Sequence, residues 1–122
     1  EGDVVAPHSA MTLFGWEGSD YRARPGTGQT HHVAFRAENA EQQVAWREHL
    51  LGLGLNVSPV MDRSYFESIY FRAPDGLLCE IATDGPGFAI DESVEELGEG
   101  LMLPAWLEPR REDIERSLVT LP

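Results

Sequence analysis

The sequence predicts an α+β fold, with one β-α-β-β-β unit over residues 31–88 and a helical tail over 89–122. Three features predict it. The apolar run Val33-Ala34-Phe35-Arg36-Ala37 leads straight into a helix start at Asn39. Two strand-like runs, Phe66 to Arg72 and Leu77 to Ala82, flank Pro74-Asp75-Gly76, whose turn chemistry makes them a hairpin. Between helix and hairpin, Asn56 to Val60 reads as a further strand, ended by Met61-Asp62-Arg63.

In chain order, Ser9 to Trp16 reads as a strand, and residues 17–29 as loop or linker, with Gly18, Pro25, Gly26 and Gly28. The helix opened by Asn39-Ala40-Glu41-Gln42, a capping-box variant, should run to about Leu53. Its expected buried side carries Val44, Leu50 and Leu51, with Ala40 and Trp46 beside them, and Gly54 is the expected left-handed stop. Asp84-Gly85-Pro86-Gly87 ends the hairpin. Beyond it a short acidic helix is expected over Asp91 to Leu97, and a second over Glu108 to Leu121 with Pro109 near its start. A lone β-α-β-β-β unit leaves one sheet face without cover, so a partner is expected.

The charge balance narrows the function classes. Nine cationic residues, all arginine, face 21 acidic ones for a net charge of −12. Such a field repels phosphate backbones and anionic membrane surfaces, so neither nucleic acid nor membrane is an expected partner. No apolar run is long enough to span a bilayer. The single cysteine, Cys79, excludes an internal disulfide and a cysteine-based metal cluster, and is consistent with a reducing cytoplasm. The first residues carry no signal-peptide pattern and no initiator Met, so the chain is expected to be cytoplasmic and to be trimmed, processed or a fragment.

Chemistry-bearing residues concentrate on the sheet. Glu80 is an acid in an otherwise apolar strand, and burying it is costly unless it is paired or binds a metal. A salt bridge to Arg36 explains it as well as a ligand role does. His32 taken alone is more often a hydrogen-bonded structural residue than a metal ligand, and it is the pairing with Glu80 that brings the ligand role forward. Together, an imidazole and a carboxylate on two strands of one sheet could form two corners of a two-histidine, one-carboxylate site. Strand alternation turns His31 away from His32, and neither His8 nor His49 has a spacing that recommends it. Tyr70, ten residues before Glu80 on the adjacent strand, could orient a substrate hydroxyl or assist proton transfer, or be an ordinary cross-strand aromatic. Asp62, Arg63 and Tyr65 form a polar cluster in which Arg63 could bind an anionic group. Cys79 and the three tryptophans read as packing residues.

His31-His32-Val33-Ala34-Phe35-Arg36 resembles the first strand of a module of the vicinal oxygen chelate superfamily, which covers glyoxalase I, extradiol dioxygenases and bleomycin-resistance proteins. Tyr70, Pro74, Gly76 and Glu80 are spaced like the second half of the extradiol signature. Asp62-Arg63, Tyr65-Phe66, Ser68-Ile69-Tyr70-Phe71, Glu80 to Asp84, Pro86-Gly87-Phe88, Leu97-Gly98, Leu103-Pro104 and Leu107 to Arg111 resemble the C-terminal module of hydroquinone-type ring-cleaving dioxygenases. The resemblance runs from about Gly26 to Pro122. It implies that residues 1–30 are the last strand and linker of a preceding module, 31–88 the metal-binding module and 89–122 the tail.

The resemblance also implies roles. His32 and Glu80 would be metal ligands and Tyr70 would line the substrate pocket; the reading of the residues adds Arg63 and Tyr65 as substrate-binding groups, with Tyr70 and Arg63 also acting in catalysis. Fe(II) is the first expectation for the metal, with Mn, Zn or Ni as other divalent candidates. The sequence departs from the extradiol signature at Met61-Asp62-Arg63-Ser64, which lacks the histidine found there, and the third metal ligand should come from another module or a second subunit. The expected activity is ring cleavage of catechol- or hydroquinone-type aromatics. A glyoxalase-type isomerisation is one alternative. A metal-free small-molecule binding module, in which Trp16, Tyr65 and Phe88 matter more, is the other.

Overall fold

The computed structural model describes residues 26–119. The strand expected over residues 9–16, His8 and Trp16 lie outside them. Strand β1 (Val33–Ala37) is followed by helix α1 (Ala40–Gly52), then β2 (Met61–Asp62), β3 (Glu67–Arg72) and β4 (Leu78–Thr83). They form one mixed, open sheet in the order β1-β4-β3-β2, with β1 parallel to β4 and the other pairs antiparallel. A short helix, α2 (Arg111–Ser117), closes the described tail. The architecture is the expected α+β arrangement.

Local chemistry explains the ends of α1. Asn39 Oδ1 accepts from the Gln42 amide at 2.8 Å, and Gln42 Oε1 accepts from the Glu38 amide at 2.8 Å, so orphan donors are satisfied in both directions. At the other end Gly54 takes φ +80°, its amide reaching Leu51 O at 2.9 Å while Leu55 reaches Leu50 O at 3.1 Å. That left-handed stop needs glycine. The hairpin turn likewise puts Gly76 at φ +94°.

Helix α1 packs on one sheet face over a core of Ala37, Leu50, Val57, Ile69 and Ile81. Its buried side differs from the expected one: Val44, Trp46 and Leu51 are exposed, and only Gln43 and Leu50 are buried. The reason is polar. Gln43 Nε2 donates to Glu67 O at 2.8 Å and to Ile81 O at 2.9 Å, lashing the helix to β3 and β4. Its Oε1 has no partner among the described residues.

Two other segments depart from expectation. The strand expected over 56–60 is reduced to a single bridge between Val57 and Phe71, and the ladder with β3 forms at β2 instead. Pro59 has no amide to give a ladder, and the Tyr70 amide bonds the Ser58 side chain at 2.9 Å rather than a backbone carbonyl. In the tail, residues 91–97 form turns in place of a helix, after one 3₁₀ turn at Phe88–Ile90. Ser93 Oγ there donates to Glu96 Oε2 at 2.8 Å, a local alternative to helix closure in an acidic stretch. The helix expected from Glu108 begins as a 3₁₀ turn (Glu108–Arg110) before α2, and Arg111 pins it by donating to Leu101 O at 3.0 Å, Glu108 Oε2 at 2.8 Å and Glu115 Oε1 at 3.1 Å.

Candidate metal and substrate site

The sheet register assembles the site on the face opposite α1. Tyr70 lies directly across from Glu80 on β3, and Ala34 lies beside Glu80 on β1. Paired residues point the same way, so Ser68, Tyr70 and Arg72 share this face with Leu78, Glu80 and Ala82, while Ile69, Phe71 and Ile81 turn to the core.

Glu80 is 4% exposed, and both of its carboxylate oxygens have polar partners. Its Oε1 accepts from Tyr70 Oη at 2.8 Å and from Ser68 Oγ in a short contact. Its Oε2 faces His32 Nε2 at 3.0 Å. Arg36 takes no part: its Nε donates to Asp84 Oδ2 at 2.6 Å, holding the Asp84 carboxyl below the usual carboxylate range. The salt-bridge reading of Glu80 with Arg36 is therefore replaced by a histidine and two hydroxyls. Burial and the bond to Glu80 push the Tyr70 phenol above its ordinary value, so it stays a donor.

His32 sits just before β1, where strand alternation does not reach. His31 consequently does not turn away: its Nδ1 lies 2.7 Å from His32 Nδ1. With both rings neutral, His32 donating from Nε2 to Glu80 leaves its Nδ1 to accept from His31. The three groups form a chain running inward from the surface.

Arg63 stands over the Tyr70 ring, its Cζ 5.7 Å from the centroid, a cation–π contact that brings a guanidinium to the same face. Tyr65 is engaged with the tail, its hydroxyl donating to Asp91 Oδ2 at 2.9 Å and its ring stacked on Phe88 at 4.8 Å. His49 lies elsewhere, its ring edge-on to that of Trp46 on α1. Beside Tyr70, an open cleft of about 340 Å³ is lined by Asn56, Ser58, Tyr70, Phe71, Arg72 and Leu78. That volume is at the small end of ligand sites.

Ser68 and Gln43 were not singled out by sequence. Period-two alternation from Tyr70 gives the face of Ser68, which was the available signal; nothing in the sequence marks Gln43.

The donor set suits a divalent ion in part. Two ligands in adjacent positions, each roughly 2.0–2.2 Å from one ion, stand about 3 Å apart, which is the separation of His32 Nε2 and Glu80 Oε2. Both are hard or borderline donors suited to Fe(II), Mn or Zn. Among the described residues no three histidine, cysteine or acidic side chains are grouped to hold a metal, so this is an incomplete set.

Comparison with known proteins defines the class. The sequence profile of the Glyoxalase/Bleomycin resistance protein/Dioxygenase superfamily matches residues 3–81, and the chain belongs to that superfamily. Within it, the chain is 49% identical over 98 residues to "Putative ring-cleaving dioxygenase MhqO" of Bacillus subtilis, a match covering 80% of this chain and 31% of that protein. It is 39% identical over 105 residues to the chlorohydroquinone/hydroquinone 1,2-dioxygenase of Sphingobium indicum, covering 81% and 32%. A crystal structure titled as a putative dioxygenase from Bacillus subtilis matches with a TM-score of 0.72 and 48% identity, over 78% of this chain and 31% of that one. The chain thus spans about a third of the length of the relatives it matches. No helix among the described residues is long and apolar enough to cross a membrane.

Proposed function

We propose that the chain contributes part of the active site of a metal-dependent dioxygenase that cleaves catechol- or hydroquinone-type rings, with His32 and Glu80 as two metal donors. The observation that carries this reading is the asymmetry of Glu80: Oε1 is taken by two hydroxyls, while Oε2 is turned to His32 Nε2 at 3.0 Å. The names of relatives 39–49% identical to the chain supply the reaction class.

When bound, Fe(II), or Mn, Zn or Ni in its place, would supply a Lewis-acid centre with open positions for a hydroxylated aromatic and dioxygen. The chain's own residues do the rest. His32 would give its Nε2 lone pair, which requires the tautomer whose Nδ1–H donates to His31. Tyr70, held protonated, has its hydroxyl beside the ligating carboxylate, where it can orient a substrate hydroxyl. Arg63 has no carboxylate partner among the described residues and can meet an anionic oxygen of the substrate. Tyr65, whose hydroxyl is committed to Asp91, would offer the substrate its ring. The missing donor would come from another module or a second subunit.

A second reading rests on one observation: the polar groups of Glu80 are satisfied without an ion, as a metal-free binding module would require. Metal content decides. Anaerobically Fe(II)-loaded, desalted protein of known assembly should retain about one ion per complete site, and Glu80→Ala and His32→Ala should lose it. Unchanged metal in Glu80→Ala defeats the assignment. Aromatic ligand bound equally well with and without chelator favours the binding module.

A further inference from the structure

We infer that Ser68 is a positioning residue for Glu80, holding the carboxylate so that one oxygen alone, Oε2, is presented toward His32. This deepens the reading of His32 and Glu80 as metal donors and rests on it.

Ser68 is 0% exposed at the centre of the sheet. A buried hydroxyl there is costly unless its hydrogen is used, and Ser68 Oγ uses it on Glu80 Oε1. Tyr70 Oη reaches the same oxygen at 2.8 Å from the directly opposed position of β3. Each carboxylate oxygen has about two acceptor sites, so the pair fills Oε1. The two donors come from residues two apart on β3 and converge on one oxygen, so together they restrict rotation of the carboxylate more than either would alone.

The backbone around Ser68 is fixed by the same construction. Gln43 Nε2 bonds the carbonyl of Glu67, just before Ser68, and that of Ile81, just after Glu80. Ser68 and Glu80 are therefore tied to one helix side chain on one face of the sheet and to each other on the opposite face. A two-oxygen grip on an ion by Glu80 would need Oε1 to surrender both hydroxyls. Ser68 thus favours one-oxygen ligation and leaves the neighbouring position open to substrate.

The test uses Co(II) alone, titrated into the protein and its variants in the assembly that completes the site, together with crystal structures of the metal-free wild type and Ser68→Ala. Outer-shell changes of this kind cost about 10–100-fold in metal affinity. Ser68→Ala should raise the Co(II) Kd by about tenfold or more, and Ser68→Thr, which restores the hydroxyl, should bring it back to within about threefold of wild type. In the Ser68→Ala structure the Oε2 to His32 Nε2 contact should lengthen beyond hydrogen-bond reach, about 3.5 Å. An unchanged Kd, an unmoved carboxylate, or failure of threonine to restore affinity overturns the inference. If Ser68→Ala does not fold, Ser68→Cys, a weak donor of similar size, takes its place. Wild-type protein in its complete assembly that takes up no Co(II), or Glu80→Ala with wild-type affinity, defeats the metal reading instead, and the position of the carboxylate in the Ser68→Ala structure then decides the role of Ser68 by itself.

Discussion

Removing the Tyr70 hydroxyl while keeping its ring isolates one of the two bonds to Glu80 Oε1. In Tyr70→Phe the phenyl still fills its place across from Glu80, so the loss is one hydrogen bond to a carboxylate at 2.8 Å. Hydrogen bonds to charged groups contribute about 1.5–3 kcal/mol. Tyr70 is only half-buried, which moves the figure toward the lower end, about 1–2 kcal/mol. Ser68→Ala should cost at least as much, because Tyr70 then holds Oε1 alone and the contact of Oε2 with His32 is loosened as well. The double variant differs in kind. With both hydroxyls gone, an oxygen of a 4% exposed carboxylate has no donor, which adds the penalty of an unsatisfied buried acceptor, about 1–3 kcal/mol. The two changes should therefore be more than additive, with a coupling of at least about 1 kcal/mol. Equilibrium urea denaturation of the four proteins in the cycle measures this directly. Strict additivity, or a neutral Tyr70→Phe, would refute the idea that the two hydroxyls share one oxygen and that the oxygen depends on them.

Gln43→Ala removes two bonds to strand carbonyls at 2.8 and 2.9 Å and leaves a gap, offset by removal of the unpartnered Oε1. The net loss should be about 2–3 kcal/mol by denaturation, and Gln43→Met, which fills the space, should lose less than alanine does. The phenol of Tyr65 is raised above its ordinary value of about 10, first by its bond to Asp91 and then by burial. Because the folded value lies above the unfolded one, the contribution is complete below about pH 10 and fades as pH rises through the folded value. Tyrosinate absorbance titrations of wild type and Tyr65→Phe should assign Tyr65 a midpoint above 10, lowered in Asp91→Asn; a midpoint at or below 10 would contradict the bond.

The parts of the site legible in sequence are those that announce themselves by residue type. An acid in the strand Leu78 to Thr83 is conspicuous, and hairpin spacing puts Tyr70 across from it without further knowledge. What sequence does not carry is the outcome of competition for buried space. An apolar stripe on α1 looks like its natural inner face, yet beside Leu50 it is Gln43 that is buried, bonding two strand carbonyls beneath it, while Val44 and Trp46 stay exposed. Ser68 is unremarkable as a serine; its weight comes from reaching across the strands to an oxygen already engaged by Tyr70. His31 was misdirected for a different reason, since alternation holds only inside a strand and β1 begins one residue after His32.

That pairing of histidines bears on how the site could exist with and without an ion. A ligand arriving at Glu80 Oε2 removes one hydrogen bond, the one from His32 Nε2 at 3.0 Å. It orphans nothing else. Oε1 keeps its two hydroxyl donors, and His32, in the other neutral tautomer, donates from Nδ1 to His31 instead of accepting from it. The cost of opening the site is thus about one charge-assisted bond, about 1.5–3 kcal/mol, rather than the several kcal/mol of stranding a buried carboxylate. His31→Phe removes the partner that makes the second tautomer favourable. On the metal reading it should weaken Co(II) binding by about tenfold or more while leaving the metal-free fold as stable as before to within about 0.5 kcal/mol, since the bond it breaks is exposed. Equal losses of stability and affinity would mean that His31 holds the chain in place rather than His32 in its tautomer, and wild-type affinity would remove it from the site.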